Sequence, residues 1–219
     1  MNKLTFTLLV LTTIFSLSAC KKDRLTANGN ITSETRDVAQ FTGVSSSGAT
    51  DVKITYGNTF KVVVKGSSNL IPQFTTRVVN NVLYLGFEHV NVHRDDIEVE
   101  LTMPSIRRVS VSGSGEIDIK GSFPAQQSLS VDISGSAEVE VENPMLVERV
   151  NVEISGSGEA DLEEVTAKQA DANISGSGNV KFQVSDQLKA KISGSGKVYY
   201  RGNPTVQQDI SGSGKLIKF

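Results

Sequence analysis

The chain has 219 residues, 38% hydrophobic and 21% charged, a balance that suits a folded body and excludes a disordered one. A formal net charge of −2 excludes the basic excess usual in a nucleic-acid binder, and with no Trp and 6% aromatics any stacking platform for bases or sugars must be small. The single cysteine rules out an intramolecular disulfide, so packing alone must hold the body together.

In chain order the first element is a leader. Met1-Asn2-Lys3 gives a short positive start, and Leu4 to Leu17 is an apolar run broken only by small polar residues. It reads as a secretory signal over residues 1–19 and is short for a stable membrane span. Leu17-Ser18-Ala19-Cys20 matches the lipobox of bacterial lipoproteins. Cys20 is therefore expected to be the acylated N-terminus of the mature chain, anchoring it in the outer membrane as an envelope lipoprotein facing the periplasm or the surface. Acyl chains gain about 0.8 kcal/mol per buried CH₂, so several would make the attachment durable. Residues 20–37 are polar, contain Asn28-Gly29-Asn30, and read as a flexible tether. The body is then expected over residues 38–219, irregular over 38–105 and regular over 106–219.

The irregular half is strand-like. Val52 to Tyr56 alternates, Gly57-Asn58 signals a turn, and Phe60 to Lys65 carries the β-branched run Val62-Val63-Val64. Arg77 to Val79 and Val82 to Leu85 flank Asn80-Asn81, either a tight hairpin turn or a corner. Ile97 to Leu101 alternates and ends near Pro104, and no segment keeps a helical period. His89 and His93 would share one strand face with Asn91, but no third ligand of suitable spacing accompanies them, so an exposed loop or strand end is expected. Ser45-Ser46-Ser47-Gly48 looks like a worn copy of the motif that dominates the second half.

That motif is Ser-Gly-Ser-Gly. It begins at Ser112, Ser134 (closing on Ala137), Ser155, Ser175, Ser193 and Ser211, with spacings of 22, 21, 20, 18 and 18 residues. A fixed motif at a period near 20 predicts a solenoid. Counting back three residues from each motif, alternate positions are apolar or Gly, as in Val152, Ile154, Gly156, Gly158, Ala160 and Leu162. The pattern predicts an all-β fold, a parallel β-helix of stacked coils, with the glycines in phase with the core and the serines in phase with solvent. A glycine there serves either a corner or a close backbone approach. Ala137 favours an extended, pinched strand, and is itself expected buried at negative φ. Gln208 and Lys218 replace apolar residues in the last repeat, as befits a coil with nothing stacked beyond it.

The lipobox, the segment Phe41-Thr42-Gly43-Val44-Ser45 and the repeated Ile-Ser-Gly-Ser-Gly steps resemble the head GIN domain family of auto-transporter adhesins, common among Bacteroidetes lipoproteins. The resemblance covers about Asp37 to Phe219. It implies a right-handed parallel β-helix, and it brings no catalytic or binding residue that maps onto this chain.

Two surfaces are candidates for function. The first is a hydroxyl ladder of Ser112, Ser114, Ser134, Ser136, Ser155, Ser157, Ser175, Ser177, Ser193, Ser195, Ser211 and Ser213. It could bind a glycan or a protein, or pair two copies as a homo-oligomer; alternatively small residues stack well there and their hydroxyls satisfy nearby backbone. The second is an acidic ladder of Glu116, Asp118, Glu138, Glu140, Glu159 and Asp161, replaced further along by Asn179, Lys181, Lys197 and Lys215. Stacked carboxylates repel one another, so they could share a Ca²⁺; screening by solvent is the plainer account. No cofactor and no nucleic-acid partner are expected. The reading is a non-enzymatic, lipid-anchored adhesin or binding module. The alternatives are a polysaccharide-active enzyme of the pectin lyase-like kind, for which no cleft or acid–base histidine is evident, and a purely structural envelope lipoprotein.

Overall fold

A chain that repeats alternating strands every 18–22 residues can satisfy its backbone only by laying each copy on the last. The computed structural model, which describes residues 24–219, has this form. The leader and Cys20 lie outside the described residues.

The first half contributes β1 (Arg24–Thr26), β2 (Ile31–Arg36), β3 (Gly43–Gly48), β4 (Asp51–Tyr56), β5 (Lys61–Ser67), β6 (Phe74–Val79), β7 (Val82–Phe87), β8 (Asn91–His93) and β9 (Glu98–Met103). The second half contributes β10 (Arg108–Gly113), β11 (Glu116–Lys120), β12 (Gln126–Gly135), β13 (Glu138–Val141), β14 (Met145–Gly156), β15 (Glu159–Gly176), β16 (Asn179–Gly194), β17 (Lys197–Arg201), β18 (Thr205–Gly212) and β19 (Lys215–Lys218).

Each regular coil has three sides. The stretch leading into each Ser-Gly-Ser-Gly forms the first, a parallel ladder running β7, β3, β10, β12, β14, β15, β16, β18. The stretch after the motif forms the second, running β9, β4, β11, β13, β15, β16, β17, β19. Short segments such as Met145–Val147, stacked on Val165–Ala167, form the third. Two corners per coil are marked by neighbouring residues that both avoid the core, as at Glu163-Glu164 and Lys168-Gln169, where the in–out phase resets. The drop from a 20- to an 18-residue coil is located there. Relative to β15, β16 loses three residues at the corner after Phe182 and gains one after Val184.

The interior is a set of apolar columns. Val109, Val131, Val152, Ala172 and Ala190 make one; Ile117, Val139, Ala160, Val180 and Val198 make another, all buried. Gln208 and Lys218 continue two such columns at the far end and are exposed, which closes the stack with polar groups.

The first half departs from simple stacking. The coil built from β7 and β9 lies beneath the coil built from β3 and β4, although it follows it in sequence. The intervening chain turns back as antiparallel strands, β5 on β9 and β6 on β7, and caps the lower edge. Asn80 (φ 50°) and Asn81 (φ 61°) make the β6–β7 turn, resolving that site as a hairpin with the two left-handed residues that a type I′ turn requires.

The expected tether is largely incorrect for the described residues. β2 pairs antiparallel with β5, and β1 pairs with β8. The polar composition misled because β2 is an edge strand with nearly every side chain exposed; it needs backbone partners, not apolar residues. Asn28-Gly29-Asn30 is the turn between β1 and β2. Asn28 N–H donates to Asn69 Oδ1 (3.1 Å), and Gly29 N–H donates to Ser67 Oγ (2.9 Å).

Candidate functional site

The motif itself proves to be a corner, which corrects the expectation of an unbroken strand. β14 ends at Gly156 and β15 begins at Glu159, so Ser157-Gly158 lies between strands. The two glycines differ in kind. Gly156 has φ 128°, and a Cβ there would sit 2.3 Å from the Gly135 carbonyl oxygen of the coil below. That same oxygen accepts the Ser157 N–H at 2.8 Å, so the turn keeps the ladder hydrogen-bonded around the bend. Gly158 is not left-handed; it is excluded from bearing a Cβ by Ile133 Cγ2 at 2.5 Å. Ala137 occupies this second kind of position, buried and at negative φ as expected. Both roles that glycine could play are thus used, one by each glycine.

The worn copy is real but shifted by two residues. Ser47 and Gly48 stack on Ser112 and Gly113, so the copy begins at Ser47 rather than Ser45. Sequence reasoning included Ser47 but set it two residues out of register, because Ala49-Thr50 replaces the second Ser-Gly. The positive φ of Gly48, 98°, is the shared physical feature.

The serine column of the first side therefore has seven members, Ser47, Ser112, Ser134, Ser155, Ser175, Ser193 and Ser211. All twelve motif serines expected on the surface are exposed. Ser47 Oγ donates to the Leu85 carbonyl at 3.3 Å; among the described residues none of the twelve motif hydroxyls has a hydrogen-bond partner in the protein. The hydroxyls are left for solvent or a ligand. Beside the column lies a shallow groove of about 270 Å³, walled by Ser112, Ser134 and Ser155 on one side and by Asp132, Glu153 and Asn173 on the other. Arg108 reaches Asp132 Oδ2 at 2.9 Å at the groove's lower end.

The acidic ladder occupies the second side, around the corner from the serines. Glu116, Glu138 and Glu159 stack in one column and Asp118, Glu140 and Asp161 in the next. Lys181 caps both at the top, 2.9 Å from Glu159 and 2.6 Å from Asp161, and these bonds raise its pKa above the ordinary lysine value. At the base, Lys53 pairs with Glu98, whose carboxyl is held below the usual range by that bond. Lys120 lies 2.7 Å from Glu142 and 3.7 Å from Asp118.

Between these clamps carboxylates outnumber cations. Oxygens of Glu116, Asp118 and Glu140 lie within 4.8 Å of one another. The Asp118 charge, with help from burial, pushes the Glu116 carboxyl above its usual value; burial first, then Glu142 and Asp118, does the same to Glu140. An oxygen-only set suits a hard cation, but three carboxylates would leave about half of a six- to eight-fold shell to water. The histidines join no such cluster among the described residues. His89 is exposed at φ 64° in a turn, and His93 is exposed in β8.

The family model described as "Putative auto-transporter adhesin, head GIN domain" matches residues 40–204. The chain belongs to this family. Solved structures share the fold: a "putative adhesin" of Bacteroides fragilis aligns with TM-score 0.74 at 16% identity, covering 89% of this chain and all of that one. A "putative adhesin" of Parabacteroides distasonis gives 0.62 at 23% identity, covering 90% and 100%. One from Parabacteroides merdae gives 0.56 at 19%, covering 90% and 99%. No curated protein matches the chain significantly. Among the described residues no helix is long and apolar enough to cross a membrane.

Proposed function

We propose that the chain is a lipid-anchored envelope adhesin that holds an extended polar ligand, best a glycan strand, in the groove along the serine column, and that it binds without catalysing. The observation that carries this reading is the groove itself. A row of hydroxyls with no intramolecular partner faces Asp132, Glu153 and Asn173 across about 270 Å³ of open space. Sugar hydroxyls donate to carboxylates and exchange hydrogen bonds with serines, and a repeat of about 4.8 Å per coil offers equivalent contacts along a chain. The family description supports an adhesive role. The open form of both candidate faces supports binding over catalysis, which favours water exclusion around the reacting group. Cys20 is proposed as the acylated residue that ties the capped end to the outer membrane.

The test is a glycan array probed with the chain and with Ser134→Tyr/Ser155→Tyr, which fills the groove from exposed positions. The expected result is binding to a restricted set of polysaccharides and its loss in the variant at unchanged melting temperature. Equal binding by both proteins, or none by either, defeats the reading. Palmitate labelling lost in Cys20→Ala checks the anchor.

A further inference from the structure

Charge is segregated along the stack. Residues 108–164 carry twelve acids against three bases, and residues 165–219 carry eight bases against three acids, formally −9 and +5. On the second side this segregation is ordered step by step. Read upward through six coils, the first outward column is Glu116, Glu138, Glu159, Asn179, Lys197, Lys215. The adjacent column is Asp118, Glu140, Asp161, Lys181, Tyr199, Ile217. A third includes Glu142 in the second coil and Arg201 in the fifth.

Inverted about the level between the third and fourth coils, these columns complement themselves. Glu116 meets Lys215 and Glu138 meets Lys197. Glu142 also meets Arg201 and Asp161 meets Lys181, but these four already pair within the chain, Glu142 with Lys120, Arg201 with Glu163, and Asp161 with Lys181. Glu140 meets the Tyr199 hydroxyl, a donor to a carboxylate. Glu159 meets the Asn179 side-chain amide, a neutral donor, and Asp118 stands opposite Ile217 but keeps Lys120. Because coils repeat at about 4.8 Å, one matched pair brings the others into register. The residues involved are placed to respond. Lys197 and Lys215 are exposed and make no ion pair among the described residues, while the excess acid of Glu116, Glu138 and Glu140 is at the other end of the same face.

We propose that this face is a homophilic interface, on which a second copy docks in an antiparallel, two-fold arrangement with the symmetry axis parallel to the strands between coils three and four. The occupant is argued from charge: an acidic partner would be repelled by the lower half, a basic one by the upper half, and a second copy of this chain carries both in the required order and pitch. Such a contact is isologous, as a two-fold interface must be. The footprint is small, about 15 by 25 Å from strand rise and coil spacing, below a standard stable interface, so the dimer is weak and salt-sensitive. It also has a geometric consequence for the adhesive reading above, on which this part rests. Arg24 enters at the capped end, paired to β8, so antiparallel copies carry their anchored ends at opposite ends of the complex. That suits bridging two lipid surfaces.

All described elements lie after position 23, so the chain from residue 20 carrying Cys20→Ser contains the whole fold and has no lipid or thiol to drive association. Sedimentation is measured at about 0.01 M and about 1 M salt, where screening lengths are about 30 and 3 Å. The expected result is a dimer at low salt whose dissociation constant rises at least about tenfold at high salt. Lys197→Glu/Lys215→Glu makes positions 116, 138, 197 and 215 all acidic, and Glu116→Lys/Glu138→Lys makes the same four all basic. Each variant alone should be monomeric, and an equimolar mixture should form a heterodimer. A monomeric parent at low salt overturns the proposal, as does a parent dimer that either variant retains, or a mixture that stays monomeric although both variants fold. Glycan binding through the serine groove is read independently of all three.

Discussion

The two halves of the molecule obey the same packing rule by opposite means. In residues 108–219 every coil after the first lies on the one that precedes it in sequence, the first resting on β3 and β4, and its lower neighbour supplies both hydrogen bonds and apolar contact. In residues 24–103 the chain runs under itself, and antiparallel strands finish what stacking cannot. The aromatic residues divide accordingly. Phe41 with Phe60 (5.3 Å) and Phe74 with Phe87 (5.1 Å) pack in the first half, and Tyr56 with Phe123 (5.5 Å) at its junction with the second. The regular coils, Phe182 and the terminal Tyr199–Phe219 pair apart, are filled mainly by Val, Ile, Leu and Ala. A repeating coil needs side chains that fit above and below identical neighbours. A cap fills one irregular volume once, and large rings do that efficiently.

The sharpest way to break this comparison is at the corner glycines. Gly156 and Gly48 occupy equivalent corners, both at positive φ. Gly156→Ala drives a Cβ to 2.3 Å from the Gly135 oxygen, where rigid backbone cannot yield. Gly48→Ala meets nothing within 4 Å, and the parallel register with β7 beneath it ends two residues earlier, at Ser46 on Leu85. The expected losses are about 4 kcal/mol or more for Gly156→Ala, or failure to fold, against about 1–2 kcal/mol for Gly48→Ala, from backbone strain alone. Denaturant unfolding of the two variants checks the difference. Equal losses would mean that the corner conformation, and not the coil-to-coil approach, fixes the glycine.

A milder comparison sets the middle of the stack against its open end. Leu188 is fully buried with a coil above and below, whereas Val206 continues the same column in the last coil and is 38% exposed. Leu188→Ala should cost about 2–5 kcal/mol and Val206→Ala less than about 1 kcal/mol. Comparable losses would indicate that something covers the last coil.

The regular half was legible because its information is local and repeated. The alternation through Val152, Ile154 and Ala160 gives strand and facing, and the period gives the stacking partner. What stayed hidden was non-local. Nothing in Ile31–Arg36 announces a strand, since an edge strand that exposes both faces has no apolar period to show. The inversion of the β7–β9 and β3–β4 coils depends on pairings tens of residues apart. At the candidate site the serine column and the acidic ladder were readable position by position. The groove was not, because it arises from the height of Asp132, Glu153 and Asn173 beside small serines. The clamps were only half readable: Lys181 lies in the acidic register, but Lys53 reaches it from the irregular half.

The electrostatic contrast on the second side yields smaller effects, and they can be ordered. Lys181 compensates two carboxylates at once, so Lys181→Met should lower stability by about 1 kcal/mol at neutral pH and low salt, and less at high salt. Glu140→Gln should act in the opposite direction. Its folded-state pKa is raised, so folding favours the protonated form. That contribution is complete below the ordinary value of 4.5 and is lost as pH rises through the higher folded value. At neutral pH the native carboxylate therefore opposes folding, and the amide does not. Because Glu140 is near the surface, the gain is expected to be only a few tenths of a kcal/mol, about 1 °C in melting temperature, and to disappear below about pH 4. Thermal melts of both proteins from acid to neutral pH make the comparison. A gain that persists in acid would assign it to packing, and a loss at neutral pH would show that the three carboxylates already share a bound cation.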